Sequence, residues 1–327
     1  MKLSIRNVFT WLLANLLIMC GFVNRAKKRA MRGDHLLSMY FHNPSKREFE
    51  SCVKWLKNNG FTFLSPDDLN TIINQDLPFP KGAVLMTADD GWQGNESNLV
   101  AVAEKYQVPV TIFVSTEAVE DGAYWWAYLE KAKDINLAIP AKSSLKMIMN
   151  DKRASLINEI KRQTKVERQA MTIEQIQKIS RSKYVTIGGH THTHPILINC
   201  RREQLYHELH ISKQKLEAWT GKEINYFAYP NGDFGDREMR ALHELGYKLA
   251  FTSEPHQTGS DELEHTLCLP RFGLLEGASL AENICRMTGV WKPLMLKFRL
   301  PELAKDENTT LEPPVYRRKE NASMLTS

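Results

Sequence analysis

Cysteine is scarce in this 327-residue chain, and strong charge bias and long apolar runs are missing. The five cysteines, Cys20, Cys52, Cys200, Cys268 and Cys285, are odd in number, widely spaced and never form a C-x-x-C pair. That pattern excludes a thiolate zinc motif and argues against a disulfide framework. The net charge is only +5, and no arginine-rich run lies in the body of the chain, so no nucleic-acid partner is expected. There is no internal repeat. What remains, 43% hydrophobic and 25% charged, is the composition of a folded protein long enough to bury a sizeable core.

The N-terminus departs from this profile. Val8–Val23, VFTWLLANLLIMCGFV, carries no charge and is followed by Arg25, Lys27, Lys28, Arg29 and Arg32. Its 16 residues are fewer than the ~20 that a spanning helix needs, and Phe22-Val23-Asn24 lacks the small residues of a cleavage site. A short span with the main domain on the cytoplasmic side and an interfacial helix with a polybasic flank both fit. Residues 1–33 are therefore expected to attach the protein to a membrane of the cell envelope, with the side left open.

From residue 34 the sequence alternates. Strands are expected at Leu36–Phe41, Gly82–Met86, Val110–Val114, Val185–Ile187, Tyr226–Tyr229 and Lys248–Thr252, with Leu267–Arg271 closing the set. Helices are expected at Phe49–Asn58, Glu96–Tyr106, from the Thr172-x-x-Gln175 capping box, and at Leu205–Trp219 and Arg237–Leu245. Strands alternating with helices imply parallel pairing through right-handed crossovers. About seven such units suit an α/β architecture, a distorted parallel (β/α) barrel over residues 34–290. A charge-rich helical insertion interrupts it at 121–170, and a polar tail follows at 291–327.

His42, Asp89-Asp90, His190–His194, Pro230-Asn231-Gly232 and Arg271 each follow an expected strand, so a barrel would collect them on one rim. Two histidines at i and i+4 with one carboxylate suffice for a first-row divalent metal. His190 and His194 have that spacing, and Asp89 and Asp90 are the nearest candidate carboxylates. Gly91 lets the chain turn sharply, so both aspartates can be aimed into one site, one at a metal and the other as a proton acceptor for water. A strand carrying His190, His192 and His194 on one face would instead make His192 a ligand. Taken singly, Asp-Asp-Gly and Pro-Asn-Gly are ordinary turns, and alternating histidines can be a surface patch.

TADDG at 87–91, GGHTHTHPIL at 188–197 and FAYPNG at 227–232 resemble three motifs of the NodB-type polysaccharide deacetylases, carbohydrate esterase family 4. The third takes the variant form without the family's arginine, and LAFTSEP at 249–255 is similar to the same branch. The resemblance implies a hydrolase removing acetyl groups, most of all N-acetyl, from an envelope or secreted polysaccharide. It implies Asp89 as general base and Asp90, His190 and His194 as ligands of one divalent metal, zinc first, with cobalt or nickel as alternatives. It also implies that the backbone N–H of Asn231 helps to stabilise an oxyanion. Tyr229 is expected as a further substrate contact, and Trp92, directly after the Asp-Asp-Gly turn, is the sugar-contact candidate by position. The chain departs from the pattern at Ala88, at Ala228, and at Leu269-Pro270-Arg271, where the family keeps Leu-x-His. Arginine stays protonated and cannot serve as a general acid; Arg271 is expected within about 6 Å of Asp89, supplying the charge that Ala228 lacks. His42 becomes the candidate acid for the leaving amine. Tyr124-Trp125-Trp126 would stack on sugar or anchor the insertion. Two other readings are an amidohydrolase-type site built on His190-x-His192 and a catalytically silent glycan-binding module on the same fold.

Overall fold

The computed structural model describes residues 5–137 and 139–292; most of the tail expected at 291–327 lies outside them. Nine strands form one sheet: β1 (His35–Phe41), β2 (Thr62–Phe63), β3 (Ala83–Ala88), β4 (Val110–Val114), β5 (Val185–Gly189), β6 (Tyr226–Ala228), β7 (Leu249–Phe251), β8 (Thr258–Gly259) and β9 (Phe272–Gly273). The order β7-β6-β5-β4-β3-β1 is parallel throughout, with β2 and β9 also parallel to their neighbours and β8 antiparallel to β1. Strands buried on both faces read as continuous apolar runs. β3, AVLMTA, and β4, VTIFV, are buried at every position.

The sheet curls into a distorted (β/α) barrel because one late segment bonds to both its edges. Leu269 donates its N–H to Ala250 and accepts from Thr252 on the β7 side (2.8 Å each). Three residues on, Phe272 and Gly273 pair with Met39 and Tyr40 of β1. The closing strand expected at Leu267–Arg271 is thus an isolated bridge at Leu269 followed by β9. Leu85, Phe113, Phe251 and Leu269 belong to one buried core cluster. The crossover helices that were expected are present, joined by Pro66–Asn74 and Leu280–Met287, which the sequence pattern did not mark.

Between Gly122 and Ala170 three helices, Trp125–Asp134, Lys142–Met147 and Asn150–Gln163, build a satellite core around Trp125, Tyr128, Leu145, Ile157 and Ile160. The ends of this insertion meet where the Gly122 carbonyl accepts from Gln169 and Ala170 N–H (2.7 and 3.0 Å). The N-terminal apolar run is two helices, α1 (Ile5–Met19) and α2 (Phe22–Ala30), broken at Gly21, whose φ is 78°. All five cysteines are free thiols.

β5 ends in two glycines for a steric reason. A Cβ on Gly188 would lie 2.5 Å from the Phe113 ring and 2.9 Å from the Tyr226 carbonyl oxygen. Gly188→Ala is expected to lower unfolding free energy by about 1–3 kcal/mol through overpacking, measured by urea titration, and a neutral result would show that Phe113 yields freely.

Candidate active site

The parallel strands deliver their C-terminal ends, and the polar residues after them, to one rim. Asp89 and Asp90 follow β3, Ser115 follows β4, His190–His194 follow β5, and Tyr229–Gly232 follow β6. Asp89 still donates its N–H to Phe41 of β1 (2.9 Å), so it remains in register with the sheet. The chain then turns hard, with φ 76° at Asp90 and 86° at Gly91. Two consecutive carboxylates that extended backbone would send to opposite faces are thereby both turned into the barrel mouth, and both are buried.

Asp90 Oδ1 lies 3.5 Å from His190 Nε2 and 3.3 Å from His194 Nε2. One donor atom from each of the three residues lies within 4.8 Å of the others. Burial opposes charge on Asp90, but the two facing imidazoles, with His42 farther off, outweigh it and hold its carboxyl well below the usual carboxylate range. Burial pushes the His194 imidazole down to about 4, keeping it neutral. His190 Nδ1 stands 2.7 Å from the Ala228 carbonyl, which can only accept, so Nε2 keeps its lone pair for the site. A neutral His194, a His190 oriented by the Ala228 carbonyl and an ionised Asp90 fit a small divalent cation with open coordination positions. The second oxygen of Asp90 accepts from Trp92 Nε1 (2.9 Å).

Asp89 is held by Arg271. The guanidinium Nη1 and Nη2 reach its two oxygens at 2.7 and 2.8 Å, inside the 6 Å bound set from sequence. Nη1 also donates to Thr87 Oγ1 (2.8 Å) and Nε to the Thr252 carbonyl (2.9 Å). The ring of Tyr40 lies 4.5 Å from the guanidinium carbon and that of Phe113 5.5 Å. Arg271 is fully buried.

His192 does not join the cluster. Period-two alternation would have put it beside His190, but β5 stops at Gly189, and Thr191 takes φ 65°. His192 Nδ1 instead meets Thr116 Oγ1 at 2.8 Å. The amidohydrolase-type pair His190/His192 is therefore not assembled. Tyr229 needs correction too: its side chain is buried, its hydroxyl donates to the Leu267 carbonyl (2.8 Å), and its N–H donates to Phe251 (3.0 Å). Neither is left for substrate. Asn231 sits at φ 61° in the turn after Pro230, with its side chain between Lys146 Nζ (2.7 Å) and Asp233 (2.6 Å). His42 is partly exposed at the rim, its Nδ1 3.9 Å from Glu276. Tyr124 and Trp125 are buried anchors of the insertion, whereas Trp126 stacks on Tyr124 and sets its ring 5.0 Å from that of His194.

Sequence reasoning missed the groups that shape the histidine loop. Glu208, buried on helix Arg202–Thr220, accepts from the N–H groups of His192 (2.9 Å) and Thr193 (2.7 Å) and from the Thr193 hydroxyl (2.7 Å). Arg153 of the insertion donates to the carbonyls of His194 and Thr193 (3.3 and 3.4 Å). A lone Glu in an amphipathic helix and a lone Arg in an insertion carry no local signal. Of the seven non-glycine residues at positive φ among the described residues, four are Asp90, Thr191, His194 and Asn231, so backbone strain is concentrated where the site is aimed.

Arg271→Met leaves the Asp89 carboxylate buried and unpaired, and is expected to cost about 3–5 kcal/mol of stability, read by denaturant midpoint; a loss below about 1 kcal/mol, typical of an exposed pair, would show the pair to be solvated. In metal-free protein, His194 binds its proton less readily folded than unfolded, so stability is full above pH ~6.5 and falls toward pH ~4, by about 3 kcal/mol in all. Chemical denaturation in chelator across that range should show this fall, and His194→Gln should flatten it.

A family model described as polysaccharide deacetylase matches residues 76–250, over half of the chain. A putative polysaccharide deacetylase of Bacillus subtilis, YxkH, is 24% identical over 217 residues, 66% of this chain and 61% of that protein. The poly-beta-1,6-N-acetyl-D-glucosamine N-deacetylase of Escherichia coli K12 is 23% identical over 256 residues, 70% of this chain but 33% of that protein. The chain thus spans under two thirds of the length of these relatives. Among solved structures, Streptococcus pyogenes deacetylase PplD in complex with acetate aligns over 78% of this chain and 98% of its own, with TM-score 0.58 and 18% identity. IcaB from Ammonifex degensii aligns over the same shares with TM-score 0.57 and 21% identity. At these identities the structural likeness speaks for the fold, and the family model, spanning the TADDG, GGHTHTHP and FAYPNG segments, speaks for the family: this chain belongs to the polysaccharide deacetylase family.

Proposed function

We propose that the protein removes acetyl groups, N-linked ones first, from a polysaccharide of the cell envelope or a secreted polysaccharide, using one divalent metal, zinc before cobalt or nickel. The observation that carries this reading is the convergence of a buried Asp90–His190–His194 ligand set with a separate buried carboxylate, Asp89, pinned by Arg271. The N-deacetylase named among the relatives supports amide over ester cleavage. The exposed apolar residues of α1 and the basic residues of α2 support attachment to a membrane of the envelope through residues 1–33.

A metal held by Asp90, His190 and His194 supplies Lewis acidity to water and to the acyl carbonyl. The protein's own groups do the rest. Asp89 takes the proton of the attacking water on a carboxylate oxygen, which keeps lone-pair capacity beyond its bond to Arg271. The two parallel N–H···O bonds of the fork fix that carboxylate in one plane. Trp92 Nε1 holds Asp90 Oδ2, leaving Oδ1 turned toward the histidines. The role of stabilising the developing oxyanion is assigned to the backbone N–H of Asn231. Trp126, its ring 5.0 Å from that of His194, lines the histidine side of the site. His42 at the rim passes a proton to the departing amine.

The test compares metal content with acetate release for full-length protein on acetylated oligosaccharides. Wild type should hold about one metal per chain; His194→Ala should lose both metal and activity. Asp89→Asn should keep the metal and lose about 10²–10⁴ in turnover. Undiminished turnover in His42→Ala would remove that residue from the acid role, and metal-free wild type that still releases acetate would overturn the metal reading.

A further inference from the structure

Eight of the fifteen large exposed hydrophobic residues in the described chain lie between Ile5 and Phe22. On α1 they form a stripe, Ile5, Phe9, Leu12, Leu16 and Met19, at alternating spacings of four and three, which is one helix face. Leu12 and Leu16 are 55% and 54% exposed. The opposite face carries Ala14, fully buried, and docks on helix Leu280–Met287: Arg6 donates to Glu282 (2.8 Å) and the Cys285 thiol to the Ala14 carbonyl (3.7 Å). α1 is apolar on both sides: Leu13, Ala14, Leu17 and Ile18 are buried or half-buried, yet the stripe stays exposed, and a contiguous exposed patch of this kind marks an interaction surface.

Length and charge identify the occupant. α1 has 15 residues, about 22 Å of helix against a hydrocarbon core of about 30 Å. Its other face is bonded along the barrel flank, and the chain bends by 64° into α2. Helix α2 exposes Arg25, Lys28 and Arg29, and no acidic residue occurs between Ile5 and Gly33. Stacking two copies through this face would bring two cationic segments together, whereas an anionic bilayer offers apolar depth and opposite charge at one surface.

The patch also has a fixed relation to the site. Asn7, in the first turn of α1, donates to the Gly277 carbonyl (3.4 Å). One residue earlier in that loop, Glu276 accepts from the N–H groups of His42 and Asn43 (2.7 and 3.1 Å). The outward-facing helix and the His42 rim of the mouth therefore share one loop. We infer that α1 lies in the interfacial plane of an anionic membrane, with α2 on its headgroups, so that the mouth opens beside the bilayer onto acetylated glycans carried by lipids. This substrate class rests on the deacetylase reading above; the docking surface does not.

Full-length protein is sedimented with phosphatidylcholine vesicles with or without phosphatidylglycerol. Binding should be about tenfold or more tighter to the anionic vesicles, fall at least about tenfold in Leu12→Glu/Leu16→Glu, and weaken with Arg25→Gln/Lys28→Gln/Arg29→Gln. Circular dichroism and metal content should be unchanged, since these side chains face solvent. Absence of vesicle binding by wild type, or equal binding by Leu12→Glu/Leu16→Glu, overturns the docking surface; so does a dimer in ultracentrifugation that this variant disperses without any vesicle binding. Acetate release is then compared for one N-acetylated oligosaccharide free in solution and coupled to a lipid in the vesicles. A wild-type preference for the vesicle-borne form, erased in Leu12→Glu/Leu16→Glu, is expected, and equal rates overturn the lipid-borne substrate. Vesicle binding with no acetate from either form would count against the deacetylase reading and leave the docking surface standing.

Discussion

The fold and the site depend on one buried guanidinium. Arg271 sits in the short segment that closes the barrel, between the bridge at Leu269 and β9. From there it donates to Thr87 of β3, to Asp89 just past it and to the carbonyl of Thr252 beyond β7, and packs against rings from β1, β4 and β7. Its charge is tolerable in the interior only because Asp89 answers it with ideal two-point geometry. The carboxylate proposed as the base is thus also the counter-ion that lets the barrel close. Geometry and stability cannot be tuned separately at this point.

The half of the site formed by Asp90, His190 and His194 is built differently, on strain. Asp90, Thr191 and His194 all adopt left-handed backbone, and Thr191 is β-branched, the least tolerant type. Such conformations persist only where the surroundings over-determine them. Here the Glu208 carboxylate gathers two N–H groups and a hydroxyl of the loop, while Arg153 of the insertion holds the carbonyls that follow. The insertion therefore fixes the histidine loop as well as walling the mouth with Trp126.

Much of this was legible in the sequence where signals are local. Asp89, Asp90, His190 and His194 stand directly after strong strand patterns, and the barrel rule gathers strand ends on one rim, so their convergence followed from order along the chain. Arg271 was legible as the cation that a missing arginine at Ala228 demanded. Other features were not. The left-handed Thr191 that swings His192 away has no sequence signature, since threonine is a poor residue for that conformation. Tyr229 belongs to a site motif, yet adjacency does not say which way a side chain points, and this one faces the core. Trp92 follows the Asp-Asp-Gly turn as expected but bonds to the Asp90 carboxylate. Glu208 and Arg153 act through tertiary contacts more than ten residues away, and two-residue strands such as β2 and β8 are too short for periodicity to register.

Barrel closure at Leu269–Gly273 and the docking of α1 against Leu280–Met287 both pair the first part of the described chain with the last. During synthesis the ribosome delivers Asp89 some 182 residues before its partner Arg271. Until that arginine emerges, the β1 and β7 edges have no strand to join them, and a buried acid has no counter-charge. Open edges and exposed apolar faces are what invite misassembly in nascent chains. The apolar helix α1, by contrast, is complete from the outset. Chain polarity thus makes the exposed apolar helix first and the Asp89–Arg271 interior last, so the outer flank of the fold exists before its core can close.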